Sequence, residues 1–294
     1  MNPIARNFFA LLLLSSCAPT IAQETVFVWP DLAPNETERA TGTTLPMRPS
    51  DKPPITRVEK IRRPPMAVYP ATKNASGAAV LILPGGGFGR VVPDLEGSEA
   101  ARWLGELGVT SFVLNYRTRL EDASEDEPAW RRPLQDGQRA IRWIRAHASK
   151  WNLDKDQIGL LAFSAGGQVG SILITADKAA YEPIDSVDEN SFRPNFAMLV
   201  YPWRIYDDAT DALLPAIKVT AKTPPSFIVH THDDASTSLG SVLLYAAMKR
   251  NNVPAELHVY ENGGHGYGTR DRPNSNIGTW TDRASDWLAR KLPN

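Results

Sequence analysis

The chain has one cysteine, Cys17, in 294 residues. A lone cysteine excludes an intrachain disulfide and any zinc cluster built on cysteine ligands. An excess of either charge is also missing: 32 Lys and Arg face 33 Asp and Glu, for a formal net charge of −1. Nucleic-acid binding draws on surplus cations that displace counterions, so no nucleic-acid partner is expected. No acidic or basic tail and no internal repeat stand out. Near the N-terminus the apolar run Phe8–Leu14 is only about seven residues, short of the ~20 that a membrane-spanning helix needs.

What is present reads as globular. Hydrophobic residues make up 42% and charged residues 22%, an ordinary balance for a folded domain. A chain of this length removes about three quarters of its surface from water and can sustain one core. Residues 1–22 read as a signal peptide, and export to the periplasm or the exterior is expected. Two cleavage readings stay open. Leu14-Ser15-Ser16-Cys17 resembles a lipobox, which would place a lipid anchor on Cys17. Thr20-Ile21-Ala22 fits a small-x-small site with a mature start near Gln23.

Residues 23–75 are rich in Pro and Thr and are expected to form an extended segment on the domain edge, with short pieces at Val26–Trp29 and Met66–Tyr69. From residue 76 to the end, short apolar runs alternate with longer amphipathic stretches. The expected strands are Ala79–Leu83, Thr110–Asn115, Ile158–Phe163, Phe196–Tyr201, Phe227–His230 and Ala255–Tyr260. Continuous apolar runs of this length suit strands covered on both faces. Gly137, Ile141, Ile144 and Ala148 fall on one helical stripe, as do Ile277, Trp280, Ala284, Trp287 and Leu288. Glu96–Leu107 and Leu239–Arg250 read as further helices. The alternation predicts an α/β fold, a mostly parallel sheet with helices on both faces. In such sheets ligands bind beyond the carboxyl ends of the strands.

Three of those loops carry chemistry. The first reads Ala162-Phe163-Ser164-Ala165-Gly166-Gly167. A strand, one serine and an Ala/Gly-rich helix start form a nucleophile elbow, whose sharp turn needs small residues two before and two after the serine. Ser164 is the candidate nucleophile; a plain helix cap is the alternative. The second loop, Pro84-Gly85-Gly86-Gly87-Phe88-Gly89, offers N–H groups without side chains in the way. Gly86 and Gly87, with Ala165, are the candidate oxyanion-hole donors. A phosphate loop is the weaker alternative, since neither of the usual phosphate-loop patterns is present.

The third loop holds a base. Of five histidines, His265 stands alone between glycines after the last strand, in Gly263-Gly264-His265-Gly266. It is the candidate general base. His147 is expected on a solvated helix face and His258 in a structural strand position. The acid is expected after the penultimate strand, in His230-Thr231-His232-Asp233-Asp234, and either aspartate fits. His230, His232 and the two aspartates also offer a zinc set, but nothing elsewhere supplies a third ligand motif. No metal and no cofactor are expected.

Together these motifs, with Asn115-Tyr116-Arg117, resemble the bacterial α/β-hydrolases of the BD-FAE-like and acetylxylan-esterase-like group, from about Val26 to the C-terminus. The resemblance implies Asp234, the second aspartate, as the acid. It implies a serine carboxylesterase that removes acetyl or aromatic acyl groups from plant polysaccharide fragments, with a small ester or an acylated oligosaccharide as its partner. The chain departs from the pattern at Pro84, Gln168, Ala235 and Ser238. Trp130, Trp203, Tyr206 and Tyr267 are candidates to stack on sugar rings, with ordinary packing as the alternative. The span 203–222 is a candidate cap over the pocket. A prolyl-oligopeptidase-type peptidase and a non-catalytic carbohydrate-binding protein are the rival readings.

Overall fold

A computed structural model describes residues 24–119 and 127–292. The expected signal peptide and Cys17 lie outside the described residues. An eight-stranded sheet forms the centre, in the order β1-β4-β6-β5-β7-β8-β11-β12. Six strands run parallel: β5 (Ala79–Leu83), β6 (Thr110–Leu114), β7 (Ile158–Phe163), β8 (Phe196–Val200), β11 (Ser226–Thr231) and β12 (Ala255–Tyr260). β1 (Glu24–Phe27) and β4 (Pro65–Tyr69) add an antiparallel edge. β2 (Thr41–Thr44) pairs with β3 (Val58–Ile61), and β9 (Tyr206–Asp207) with β10 (Ala212–Leu213), in two small outlying sheets.

Every residue of β5 through β8 and of β11 is buried. This is what apolar strands do when helices cover both faces. Alternation along each strand divides the core in two. Ala79, Leu81 and Leu83 of β5 join one cluster, with side chains of α2 (Arg131–Ala146), α3 (Ser164–Thr175) and α4 (Leu239–Arg250). Val80 and Ile82 join the other, under α1 (Glu99–Glu106) and α5 (Trp280–Ala289). The parallel register brings the carboxyl ends of β5, β7 and β11 to one edge of the sheet.

Two helices differ from the sequence pattern. The stripe predicted from Glu96 begins as helix α1 only at Glu99, preceded by a widened π-helical turn over Asp94–Ser98. Such turns break the regular ladder and recur at functional sites. In α2 the expected stripe is buried, and so are Arg132, Gln135, Asp136, Gln138, Arg139 and Arg142. The N-terminal segment lies over them: the Arg139 Nε–H donates to Val28 O at 2.9 Å, and the Trp29 indole to Asp136 at 2.8 Å. His147, expected to be solvated, is half-buried instead and stacks on Trp143 at 4.1 Å. Its i−4 neighbour on the helix is an aromatic ring, which the hydrophobic pattern does not distinguish from core. Among the described residues, no helix is long and apolar enough to cross a membrane.

Candidate active site

Ser164 stands at the junction of β7 and α3 with φ of 51°. A left-handed conformation is strained for a residue with a Cβ and persists only where packing enforces it. The enforcement is visible in its neighbours. A Cβ on Gly166 would lie 2.2 Å from Leu83 O, and one on Gly167 would lie 2.7 Å from Pro202 Cα. Backbone therefore occupies the space that side chains would need, and the small residues of the motif let β7 turn straight into α3.

The three predicted side chains meet. Ser164 Oγ lies 2.7 Å from His265 Nε2, and His265 Nδ1 lies 2.6 Å from Asp234 Oδ2. With Nδ1 donating to the carboxylate, Nε2 is left to accept the serine proton. The Asp234 side chain is 1% exposed, that of His265 32%. Burial works against the charge of Asp234. Hydrogen bonds from His230, His265 and the Ser236 N–H outweigh it and hold the carboxyl far below the usual carboxylate range.

The two adjacent aspartates divide their work. Asp233 is exposed and accepts from the Gly263 and Gly264 N–H groups at 3.1 and 2.9 Å. The Gly264 bond, helped by that from Gly263, lowers its pKa against the opposing effect of burial. It braces the glycine loop that carries His265, while Asp234 takes the imidazole.

The glycine loop after β5 faces the same space. Gly86 and Gly87 have φ of 133° and 66°, values that favour glycine. Among the described residues neither N–H donates to a protein acceptor. Ala165 N–H is in the first turn of α3, where a helix leaves its amides without internal partners. The Tyr116 hydroxyl donates to Pro84 O at 2.7 Å and steadies the loop from beneath. Gln168 ties the elbow helix to Arg204 O at 2.9 Å.

Two contributions were missed in the sequence. His230 is fully buried; its Nε2 is 3.1 Å from Asp234 Oδ2 and its Nδ1 2.8 Å from Ser241 Oγ. It meets the same carboxylate oxygen as His265 and so props the acid. The spacing His230-x-x-x-Asp234 was its only signal. Among the described residues no three His, Cys, Asp or Glu side chains are arranged to hold a metal ion. Glu96 is also buried. It accepts from Gly85 N–H at 2.7 Å and from the Tyr201 hydroxyl at 2.8 Å, and that hydroxyl accepts from Gly268 N–H at 2.9 Å. One carboxylate thus ties the glycine loop to the histidine loop. Burial pushes its pKa up, against the two hydrogen bonds. Nothing in a helical stripe marks such a residue in advance.

A cleft of about 480 Å³ opens over Ser164 and His265, lined also by Gly86, Gly87 and Trp203. Of the aromatic candidates only Trp203 lines it. Tyr267 is fully buried, Trp130 packs on the core, and Tyr206 donates to Asp211. The span 203–222 holds the β9–β10 hairpin.

The family model described as BD-FAE matches residues 67–201. An acetylxylan esterase of Xylanibacter ruminicola is 28% identical over 246 residues, covering 76% of this chain and 46% of that protein. Endo-1,4-beta-xylanase B of Butyrivibrio fibrisolvens is 30% identical over 223 residues, covering 69% of this chain and 34% of that protein. The chain therefore spans about half or less of the length of these curated relatives. The crystal structure of an acetyl ester-xyloside bifunctional hydrolase from Caldicellulosiruptor lactoaceticus superposes with a TM-score of 0.70. It is 27% identical, with 94% of this chain and 98% of that chain covered.

Proposed function

Because the chain belongs to the α/β-hydrolase superfamily, on its BD-FAE-like branch, we propose that it is a serine carboxylesterase acting on acylated polysaccharide fragments. The contact of 2.7 Å between Ser164 Oγ and His265 Nε2, open to a cleft bearing unpaired glycine amides, carries this reading.

Ser164 Oγ attacks the ester carbonyl carbon while His265 Nε2 takes its proton. Asp234 stabilises the imidazolium that forms. The carbonyl oxygen, now an oxyanion, accepts from the N–H groups of Gly86, Gly87 and Ala165. One such donor is worth about 2.7–4 kcal/mol in a measured case. The intermediate collapses, the C–O bond breaks, and the alcohol leaves with the proton from His265. Water then attacks the acyl-enzyme by the same route and frees the acid and Ser164.

The acyl group is acetyl or another small acyl group. Two of the relatives are an acetylxylan esterase and a xylanase by name, and the structural neighbour is an acetyl ester hydrolase. Export fits such a polymer, and the segment before Gln23, with Cys17 as a candidate lipid anchor, is read as the export signal. Ser164→Ala should lower kcat/KM for a short-chain aryl acetate by about 10⁵ or more, abolish labelling by a fluorophosphonate, and leave the melting temperature unchanged. Retained turnover in that variant would end the proposal.

A further inference from the structure

The rim of the catalytic cleft carries an excess of one charge. Arg48, Arg57 and Arg90 line it together with Ser164 and His265. A short antiparallel bridge brings two of them together. Val58 and Val91, which follow Arg57 and Arg90, exchange backbone hydrogen bonds of 3.0 and 2.8 Å. Gly86 packs so closely on this stretch that a Cβ there would lie 2.2 Å from Arg90 O. Arg90 is therefore fixed beside the proposed oxyanion donors.

Three neighbouring carboxylates are already engaged. Asp51 takes Arg57 Nη1 at 2.6 Å. Asp94 accepts from the Thr56 and Leu95 N–H groups, and Glu96 has both oxygens occupied. Among the described residues, Arg48 and Arg90 donate no side-chain hydrogen bond and form no ion pair. Burial, then the charges of Arg48 and Arg57, lower the Arg90 pKa, with Glu59 opposing. Asp51 neutralises Arg57, but Arg48 and Arg90 remain like charges without an ion pair, which raises the energy of the empty cleft, and an incoming anion relieves it.

We propose that this rim is a subsite for a carboxylate on the substrate, so that the enzyme prefers esters that bear an acidic group beside the scissile bond. The inference rests on the esterase reading and adds the substrate class. An acetylated oligosaccharide bearing a uronic acid branch has the required chemistry. Guanidinium binds a carboxylate with two parallel N–H donors, which gives geometry as well as attraction.

Two matched substrate pairs test it. One pair is acetylated xylo-oligosaccharides with and without a uronic acid branch, which puts the carboxylate on the alcohol side. The other is an aryl hemisuccinate against an aryl butyrate, which puts it on the acyl side. The acidic member of at least one pair should show a kcat/KM about tenfold higher at low salt, the worth of one charge-assisted hydrogen bond. That ratio should fall towards one in Arg90→Gln and in 1 M salt, and persist in Arg283→Gln, a change on the exposed face of α5. The pair that shows the preference identifies the side. Turnover of every ester with equal efficiency would overturn the subsite and leave the esterase reading standing. Turnover of none would overturn the esterase reading itself.

Discussion

Two buried aspartates hold this molecule together, and they do different things. Asp136 sits on α2 with its side chain fully buried. It accepts from the Arg117 Nε–H at 2.9 Å, the Arg117 N–H at 2.8 Å and the Trp29 indole at 2.8 Å. Asp234 is nearly as buried but is gripped by two imidazoles and one backbone amide. Burial and hydrogen-bond count do not separate the two. The partners do. A guanidinium keeps its proton under all ordinary conditions, so the Asp136 network is closed and fastens residues 28–36 to the core. An imidazole can both accept and donate a proton, and His265 reaches out of the protein into a cleft. A buried carboxylate marks chemistry when its partner can change charge and touch what enters.

The contrast can be broken at either end. Asp234→Asn should lower kcat by about 10⁴, as losing the orienting acceptor does in other triads. Its urea midpoint should fall as well, because an amide offers one acceptor oxygen where the two imidazoles use Oδ2 and the Ser236 N–H uses Oδ1. Asp136→Asn should act on stability alone. Taking from Arg117 its nearest charge partner, with Glu36 left at 3.5 Å, costs up to about 3–5 kcal/mol, read by urea denaturation, while kcat of the folded fraction stays within twofold. If Asp136→Asn abolished turnover without unfolding, the division proposed here would fail.

Glu96→Gln sharpens the comparison from between the two. It removes one of the two acceptor oxygens that join the glycine loop to the histidine loop. We expect kcat to fall about tenfold with KM nearly unchanged, measured on an aryl acetate. The pH dependence has a definite sign. Glu96 has a raised pKa in the fold, so its contribution to stability is present at low pH and is lost as pH rises above the ordinary carboxylate value of ~4.3. The melting temperature of Glu96→Gln relative to the unsubstituted chain should therefore improve as pH rises from about 4. Asp234 has a depressed pKa, so its contribution is full above ~3.9 and lost as pH falls below that value. The smallest effect is expected at Asp233→Asn. Two charge-assisted bonds to exposed glycine amides weaken, and activity should drop about threefold.

Much of the sheet could be read in advance because its central strands are apolar along most of their length. Ala79–Leu83, Ile158–Phe163 and Ala255–Tyr260 have the expected limits, two other parallel strands end one residue early, and β11 is longer by one residue at each end. Ser164 and His265 were singled out for another reason, whereas Asp234 was separated from Asp233 only by the family resemblance. Ser164 and His265 each stand in a loop whose small residues or turn residues have no other evident purpose. His230 and Glu96 were not legible. A histidine inside a strand and a glutamate near a helix start look the same whether they face solvent or a neighbour's carboxylate or amide.

The sequence by itself determined the alternation of buried strands with amphipathic helices, and with it the edge at which loops could meet. Hydrophobic periodicity is a local property, and it is written in consecutive residues. Only the tertiary structure decided which aspartate turns inward, where the polar face of α2 goes, and which arginines share the cleft with the serine. Those outcomes depend on contacts between residues far apart in the chain. Asp136 meets Trp29, 107 positions away, and Glu96 meets Tyr201, 105 positions away. No local pattern encodes such pairs, because each exists only once the sheet has brought its two halves together.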